Sequence, residues 1–202
     1  MGALHVHEFT SLDGVIDAPT WTFEYGFHPE MGEAIGALTE RCRGILLGRT
    51  TYEMFEPAWS TRTVEDDPGA PFFNDTTKYV VSGTLTEPTW RNSEAIGPYD
   101  PGAIRRLKDE AGNLYVSGSG TLVRALLADG LVDGLHLFVY PLTRGAGPRL
   151  FPDTAPPGKL SLTTIPGGGT RPICEPSGNS ASAAKAAEVQ SQRTRASGAI
   201  RA

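Results

Sequence analysis

Three short stretches bring together residue types able to hold phosphate groups and position a small substrate. The first is Ser117-Gly118-Ser119-Gly120-Thr121-Leu122. Its small residues follow an apolar run, 114–116, and lead into Leu122, Val123, Leu126 and Leu127 at helical spacing, with Gly130 as a stop. A strand, a tight turn and a helix meet there, and bare N–H groups opening a helix make a seat for an anion. A plain strand-to-helix turn is the alternative, and the third glycine of the usual dinucleotide fingerprint is absent. The second stretch is Gly48-Arg49-Thr50-Thr51-Tyr52-Glu53, again a strand ending in glycine before a helix. Thr50 and Glu53 have the spacing of a capping box, but no cap needs Arg49. Its guanidinium suits a phosphate monoester, or else a solvated surface ion pair. The third is Ser11-Leu12-Asp13-Gly14, whose Asp13 is a candidate to orient a substrate or relay a proton. Asp-Gly equally begins a tight turn.

The elements that must position these residues alternate along the chain. Residues 3–9, 44–48, 78–82, 134–141 and 160–165 read as strands beside 114–116, with a weaker one at 89–96. Met31, Ile35, Leu38 and Cys42 line one face of a helix starting near Pro29, and a short helix is expected over 51–56. Asp100-Pro101 starts another helix, with Ile104 and Leu107 buried and Gly112 as its stop. Residues 62–67 read as a polar loop, and Trp21, Phe23, Tyr25 and Phe27 recur at every second position of an aromatic loop. Strands separated by helices point to a layered α/β domain with a largely parallel sheet. The ends 48–51, 82–84 and 117–120 then fall along one sheet edge, where open α/β sheets bind ligands.

Composition narrows the classes. The 202 residues are 39% hydrophobic, enough for one well-buried domain. A formal charge of -5, without a basic block before the last segment, argues against nucleic acid as the main partner. There is no charged-then-apolar leader and no apolar run near ~18 residues, so neither secretion nor membrane spanning is expected. Cys42 and Cys174 are isolated, which fits a reducing cytoplasm, and no metal-ligand spacing is visible. His5 and His7 share one face of a strand, a pair that reads as structural. From Pro166 onward there is no Leu, Phe, Trp, Tyr or Met. Residues 166–202 therefore read as a disordered tail and 1–165 as the domain. The tail's five basic and two acidic residues give it +3, which leaves −8 on the domain.

The ordered set Ser11-Leu12-Asp13-Gly14, Leu47 to Glu53, Val81-Ser82 and Ser117 to Leu122 resembles the dihydrofolate reductase superfamily. It is closer to the reductase half of the bifunctional riboflavin-biosynthesis deaminase–reductase than to dihydrofolate reductase, and the likeness spans about residues 3–165. The resemblance implies a three-layer fold, a twisted and mostly parallel sheet flanked by helices, with NADPH extended across its edge. It also implies hydride transfer to a C=N or C=O group of a small heterocyclic or open-chain sugar substrate. On that resemblance Gly48, Arg49, Thr50 and Thr51 meet the 2′-phosphate end of the cofactor, and Ser82 and Gly83 line the adenosine. Gly118, Ser119, Gly120, Thr121 and Leu122 cradle the pyrophosphate, and Ile16 lies near the nicotinamide. Asp13 and Ser11 fall on the substrate side, with Trp21, Phe23 and Tyr25 as its roof, although core packing accounts for those aromatics equally well.

Two departures stand out. Only Glu30 and Glu33 are available where dihydrofolate reductase carries its pterin-binding acid, and no deaminase half is present. The final antiparallel strand of the family is replaced by Pro166-Gly167-Gly168-Gly169 and polar sequence, which leaves an unpaired edge at 160–165 or 134–141 for a homodimer contact. The expected protein is a cytoplasmic NADPH-dependent reductase of the riboflavin-biosynthesis type. The alternatives are a reductase of dihydrofolate or another heterocycle, and a nucleotide-binding module without turnover.

Overall fold

A computed structural model describes residues 2–16, 19–25 and 29–153, together with the backbone of 160–164 and 172–176. Among these residues six parallel strands form the body of the sheet: β1 (Leu4–Ser11), β2 (Gly44–Gly48), β3 (Thr77–Val81), β4 (Ser93–Ala95), β5 (Leu114–Ser117) and β6 (Gly134–Tyr140). With β7 (Leu160–Thr164) and β8 (Pro172–Pro176) the order is β4-β3-β2-β5-β1-β6-β8-β7. Among the described residues five α-helices flank the sheet: α1 (Pro29–Thr39), α2 (Arg49–Trp59), α3 (Ala70–Asp75), α4 (Pro101–Ala111) and α5 (Gly120–Ala128). This is the expected three-layer α/β arrangement.

The period of two along each strand separates the layers. Leu4 and Val6 of β1, Val116 of β5 and Leu135, Leu137 and Val139 of β6 pack with Ile104 of α4 and Leu122, Val123 and Leu126 of α5 in an aliphatic core. On the opposite face, Ile45, Leu47 and Tyr115 meet Leu38, Tyr52 and Phe73, while Phe9, Phe138 and Tyr140 meet Trp21 and Met31. Helix α4 obeys its local signals. Asp100 accepts from Gly102 N–H at 2.8 Å, Pro101 occupies the first turn, and Gly112 ends the helix at φ +80°.

Three expectations are corrected. The sheet does not close at 160–165, because β8 lies inside the segment read as tail, antiparallel to both β6 and β7. Its prolines stand only at its two ends, so Ile173, Cys174 and Glu175 keep the N–H groups that a ladder needs. Strand β6 is consequently paired on both sides, and β7 is outermost. The rest of 165–202 lies outside the described residues. The aromatic loop is a 3₁₀ helix over Thr20–Tyr25. Its winding buries Trp21 at 7% exposure and leaves Phe23 81% and Tyr25 47% exposed. The capping box at Thr50 and Glu53 does not form, since α2 already begins at Arg49 with Gly48 as its cap.

Candidate functional site

The C-terminal ends of β1, β5, β2 and β3 lie side by side, three strand spacings or about 14 Å across. At their centre Gly118 and Ser119 both have φ of +66°. Glycine takes that conformation freely, whereas for serine it costs about 1 kcal/mol. Two hydrogen bonds hold the serine there. Gly48 N–H donates to Ser119 Oγ at 2.9 Å, and the Ser119 hydroxyl donates to Thr51 Oγ1 at 2.6 Å. The turn is thereby fastened to the end of β2 and the first turn of α2. Ser119 spends its hydroxyl on these two bonds and so shapes the backbone, while the Thr51 hydroxyl keeps its own hydrogen to donate.

Helix α5 opens directly after this turn. Val123 N–H bonds back to Ser119 O at 2.9 Å, and the N–H groups of Gly120, Thr121 and Leu122 before it have no intrahelical acceptor. They are the donors an anion would find there, assisted by the helix dipole. A Cβ on Gly120 would stand 2.5 Å from Ile16 Cδ1, so the turn and Ile16 are in direct contact. Leu122 is buried in the aliphatic core and anchors the helix, while Thr121 is exposed and its Oγ1 accepts from Arg124 Nη2 at 3.3 Å.

Farther along the edge, Arg49 donates from Nη1 to Thr84 Oγ1 at 2.9 Å, and its Nε lies 3.4 Å from Glu53 Oε1. Its side chain is half exposed, which leaves guanidinium N–H groups available to a further anion. Ser82 Oγ accepts from Thr84 N–H at 3.1 Å and Leu85 N–H at 2.9 Å, shaping the turn that carries Gly83. Thr50 is exposed beside Arg49. Thr84 belongs to the small-residue end of β3 visible in the sequence, but its bond to Arg49 depends on strand order.

Asp13 has a different occupation. Its Oδ1 accepts from the Ser11 hydroxyl at 2.6 Å and Arg144 N–H at 3.0 Å, and its Oδ2 from Gly145 N–H at 2.7 Å. Those bonds, led by Ser11, push its pKa down to about 2. At neutral pH this carboxylate carries no proton to relay. It fastens the loop after β6 to the end of β1, a structural task that sequence spacing could not reveal. Arg149 Nε reinforces it by donating to Asp13 O at 3.0 Å.

In the aromatic layer, Trp21 and Tyr25 both meet Tyr140, with ring centroids 5.3 and 5.6 Å apart. Phe9 continues this layer toward His7. Two buried titratable neighbours stand on β1: His7, which the sequence reads as structural, and Glu8, which escaped that reading. Burial pushes the His7 imidazole down to about 3, with His136 contributing, and pushes the Glu8 carboxyl up to about 8 against the pull of Arg124. Glu30 and Glu33 are exposed on the first turns of α1. Among the described residues no group of three or more His, Cys, Asp or Glu could hold a metal ion, and no helix is long and apolar enough to cross a membrane.

A parallel sheet ordered in this way, with a glycine turn and helix N-terminus at its edge, defines a dihydrofolate reductase-like α/β protein. The chain belongs to the RibD C-terminal domain family, whose model matches residues 3–96 and 100–191. Among solved structures, the chain is similar to a protein assigned to riboflavin biosynthesis from Shewanella sp. PV-4. That match has 22% identity, 86% of this chain and 96% of the other covered, and a TM-score of 0.62. It is also similar to the diaminohydroxyphosphoribosylaminopyrimidine deaminase/5-amino-6-(5-phosphoribosylamino)uracil reductase of Thermotoga maritima, at 15% identity. There 86% of this chain and 56% of the other are covered, with a TM-score of 0.57. Dihydrofolate reductase from Enterococcus faecalis, complexed with NADP(H) and RAB-propyl, shares the fold at 16% identity and TM-score 0.51, over 86% of this chain and 92% of the other. No curated protein matches the sequence.

Proposed function

We propose that the protein is an NADPH-dependent reductase of the riboflavin-biosynthesis type, acting on a C=N or C=O group of a small phosphorylated substrate such as 5-amino-6-(5-phosphoribosylamino)uracil. The observation that carries this reading is the strained turn at Gly118 and Ser119, held by Gly48 and Thr51 and followed at once by the free N–H groups of α5. Backbone strain kept in place by dedicated hydrogen bonds marks a functional turn. The residues fit a dinucleotide: Gly120, Thr121 and Leu122 would hold its pyrophosphate, and Arg49 with Thr84 its 2′-phosphate. NADPH, when bound, supplies the hydride. The chain's own work is to place the two reactants together and exclude water. Ile16 packs against the glycine turn on the nicotinamide side, and Phe9, Tyr140 and Trp21 offer flat walls to a planar ring. Asp13 supports this arrangement by holding the 144–145 backbone, while the proton needed to complete the reduction comes from solvent. A homodimer joined through the outer strand β7 belongs to the same reading, and sedimentation velocity tests it.

Oxidation of NADPH followed at 340 nm with the ribosylaminouracil phosphate, dihydrofolate and no substrate tests the proposal. Turnover is expected with the pyrimidine. Turnover with dihydrofolate alone would move the protein to the folate branch, and cofactor binding without turnover on any substrate would make it a nucleotide-binding module.

A further inference from the structure

His7 lies where the aromatic layer meets the glycine turn. It is 2% exposed and stands in register between Ser117, the residue before Gly118, and His136. Its ring is edge-on to Phe9 and Phe138, at centroid distances of 4.7 and 4.9 Å. Phe9 then touches Tyr140, which leads on to Trp21 and Tyr25. The two ring nitrogens differ. Nδ1 is 3.1 Å from the Tyr115 hydroxyl and 3.4 Å from Ser117 Oγ, whereas Nε2 is buried with no hydrogen-bond partner among the described residues.

The network decides which nitrogen carries the proton. Among the described residues the buried Tyr115 hydroxyl has His7 Nδ1 as its hydrogen-bond partner, and donating there is what satisfies its proton. That places the hydrogen on Nε2. A bare buried N–H is rare in native proteins and calls for an occupant. We infer that His7 Nε2–H is the donor this site presents to its substrate, taking a carbonyl oxygen or ring nitrogen of a planar heterocycle laid against the aromatic layer. The inference rests on the reductase reading given above. Burial keeps the imidazole neutral, with a pKa near 3, so it orients its ligand without protonating it. Apolar walls with one well-placed polar group are the usual construction of a small-molecule pocket. A lone donor of this kind discriminates strongly against rings that lack the acceptor.

The test follows the His7 imidazole by long-range proton–nitrogen NMR in the whole labelled protein. Measurements are made free, with NADP⁺, and with NADP⁺ plus 5-amino-6-(5-phosphoribosylamino)uracil, binding of each being monitored separately by calorimetry. The free protein should show the Nε2–H tautomer, and the Nε2 signal should move with the pyrimidine but not with NADP⁺ alone. His7→Phe should raise KM for the pyrimidine roughly tenfold or more while kcat and the NADP⁺ affinity change little, and His7→Gln should recover part of the loss. An Nδ1–H tautomer, or bound pyrimidine with the Nε2 signal unmoved, overturns the assignment and leaves the reductase reading standing. Failure of both ligands to bind removes that reading and the role of His7 with it. The tautomer and the ligand shift are read on the unmodified protein, so they decide the matter even where His7→Phe fails to fold.

Discussion

His7 and Glu8 are adjacent in β1, yet they enter opposite layers of the molecule. Glu8 faces the aliphatic layer under α5, where the opposing charge is Arg124 and one carboxyl oxygen has no partner. His7 faces the aromatic layer, where Tyr115 and Ser117 serve one nitrogen and rings surround the rest. Desolvation drives both groups to their neutral forms, the acid upward in pKa and the base downward. The layers differ in what they are built to hold. Interlocked Leu and Val side chains seat α5 firmly beneath the glycine turn, while flat rings and a spare imidazole nitrogen suit a planar guest. One face fixes the glycine turn in place, and in the reading proposed above the other receives the substrate.

The largest expected effect tests the aliphatic side. The folded pKa of Glu8, about 8, exceeds its ordinary 4.5, so between those values the unfolded chain binds fewer protons and stability falls as pH rises. Glu8→Gln should remove that loss, gaining on the order of 4 kcal/mol at pH 8 and little at pH 4.5. Thermal melts at the two pH values check it, and an equal change at both would mean that Glu8 is not held as a buried acid. The aromatic side should slope the other way. His136 is lowered by burial to about 4, so its contribution is complete above pH 6.5 and is lost as pH falls toward 4. His136→Phe should flatten that acid limb by roughly 2–3 kcal/mol, read from the slope of stability with pH.

At the edge between the layers, Arg49→Ala should weaken NADPH binding about tenfold to a hundredfold, the worth of a charge-assisted contact, and leave NADH binding nearly unchanged. Calorimetry with both cofactors decides this, and an equal loss for the two would detach Arg49 from the 2′-phosphate. The smallest effect belongs to Asp13. Its pKa is depressed from 3.8 to about 2, so its stabilisation is present above pH 4 and disappears as pH falls through 2. Asp13→Asn should lower stability at pH 6 and match the parent protein near pH 2. A constant difference across that range would show that the carboxylate charge is not what holds the 144–145 loop.

Much of this protein is local and therefore present in the sequence. Alternating residues in 134–140, the cap at Asp100-Pro101, the stop at Gly112 and the small residues 117–120 define their elements through backbone preference and side-chain period alone. Their order along the chain is enough to place three strand ends on one sheet edge. Other features depend on where distant segments come to rest. Ser119 meets Thr51 across 68 residues, Arg49 meets Thr84 across 35, and Asp13 reaches the 144–145 backbone across more than 130. Those partners give Ser119, Arg49 and Asp13 supporting contacts that their spacing in the sequence does not show. A composition without Leu, Phe, Trp, Tyr or Met made 172–176 read as tail, but the strand forms because β6 and β7 offer a ladder that only the folded sheet contains. His7 reads as half of a structural histidine pair until the sheet sets it beside Ser117, Tyr115 and Phe138. Period and propensity act over a few residues, whereas hydrogen-bond partners and desolvation are set by packing, and only tertiary structure decides them.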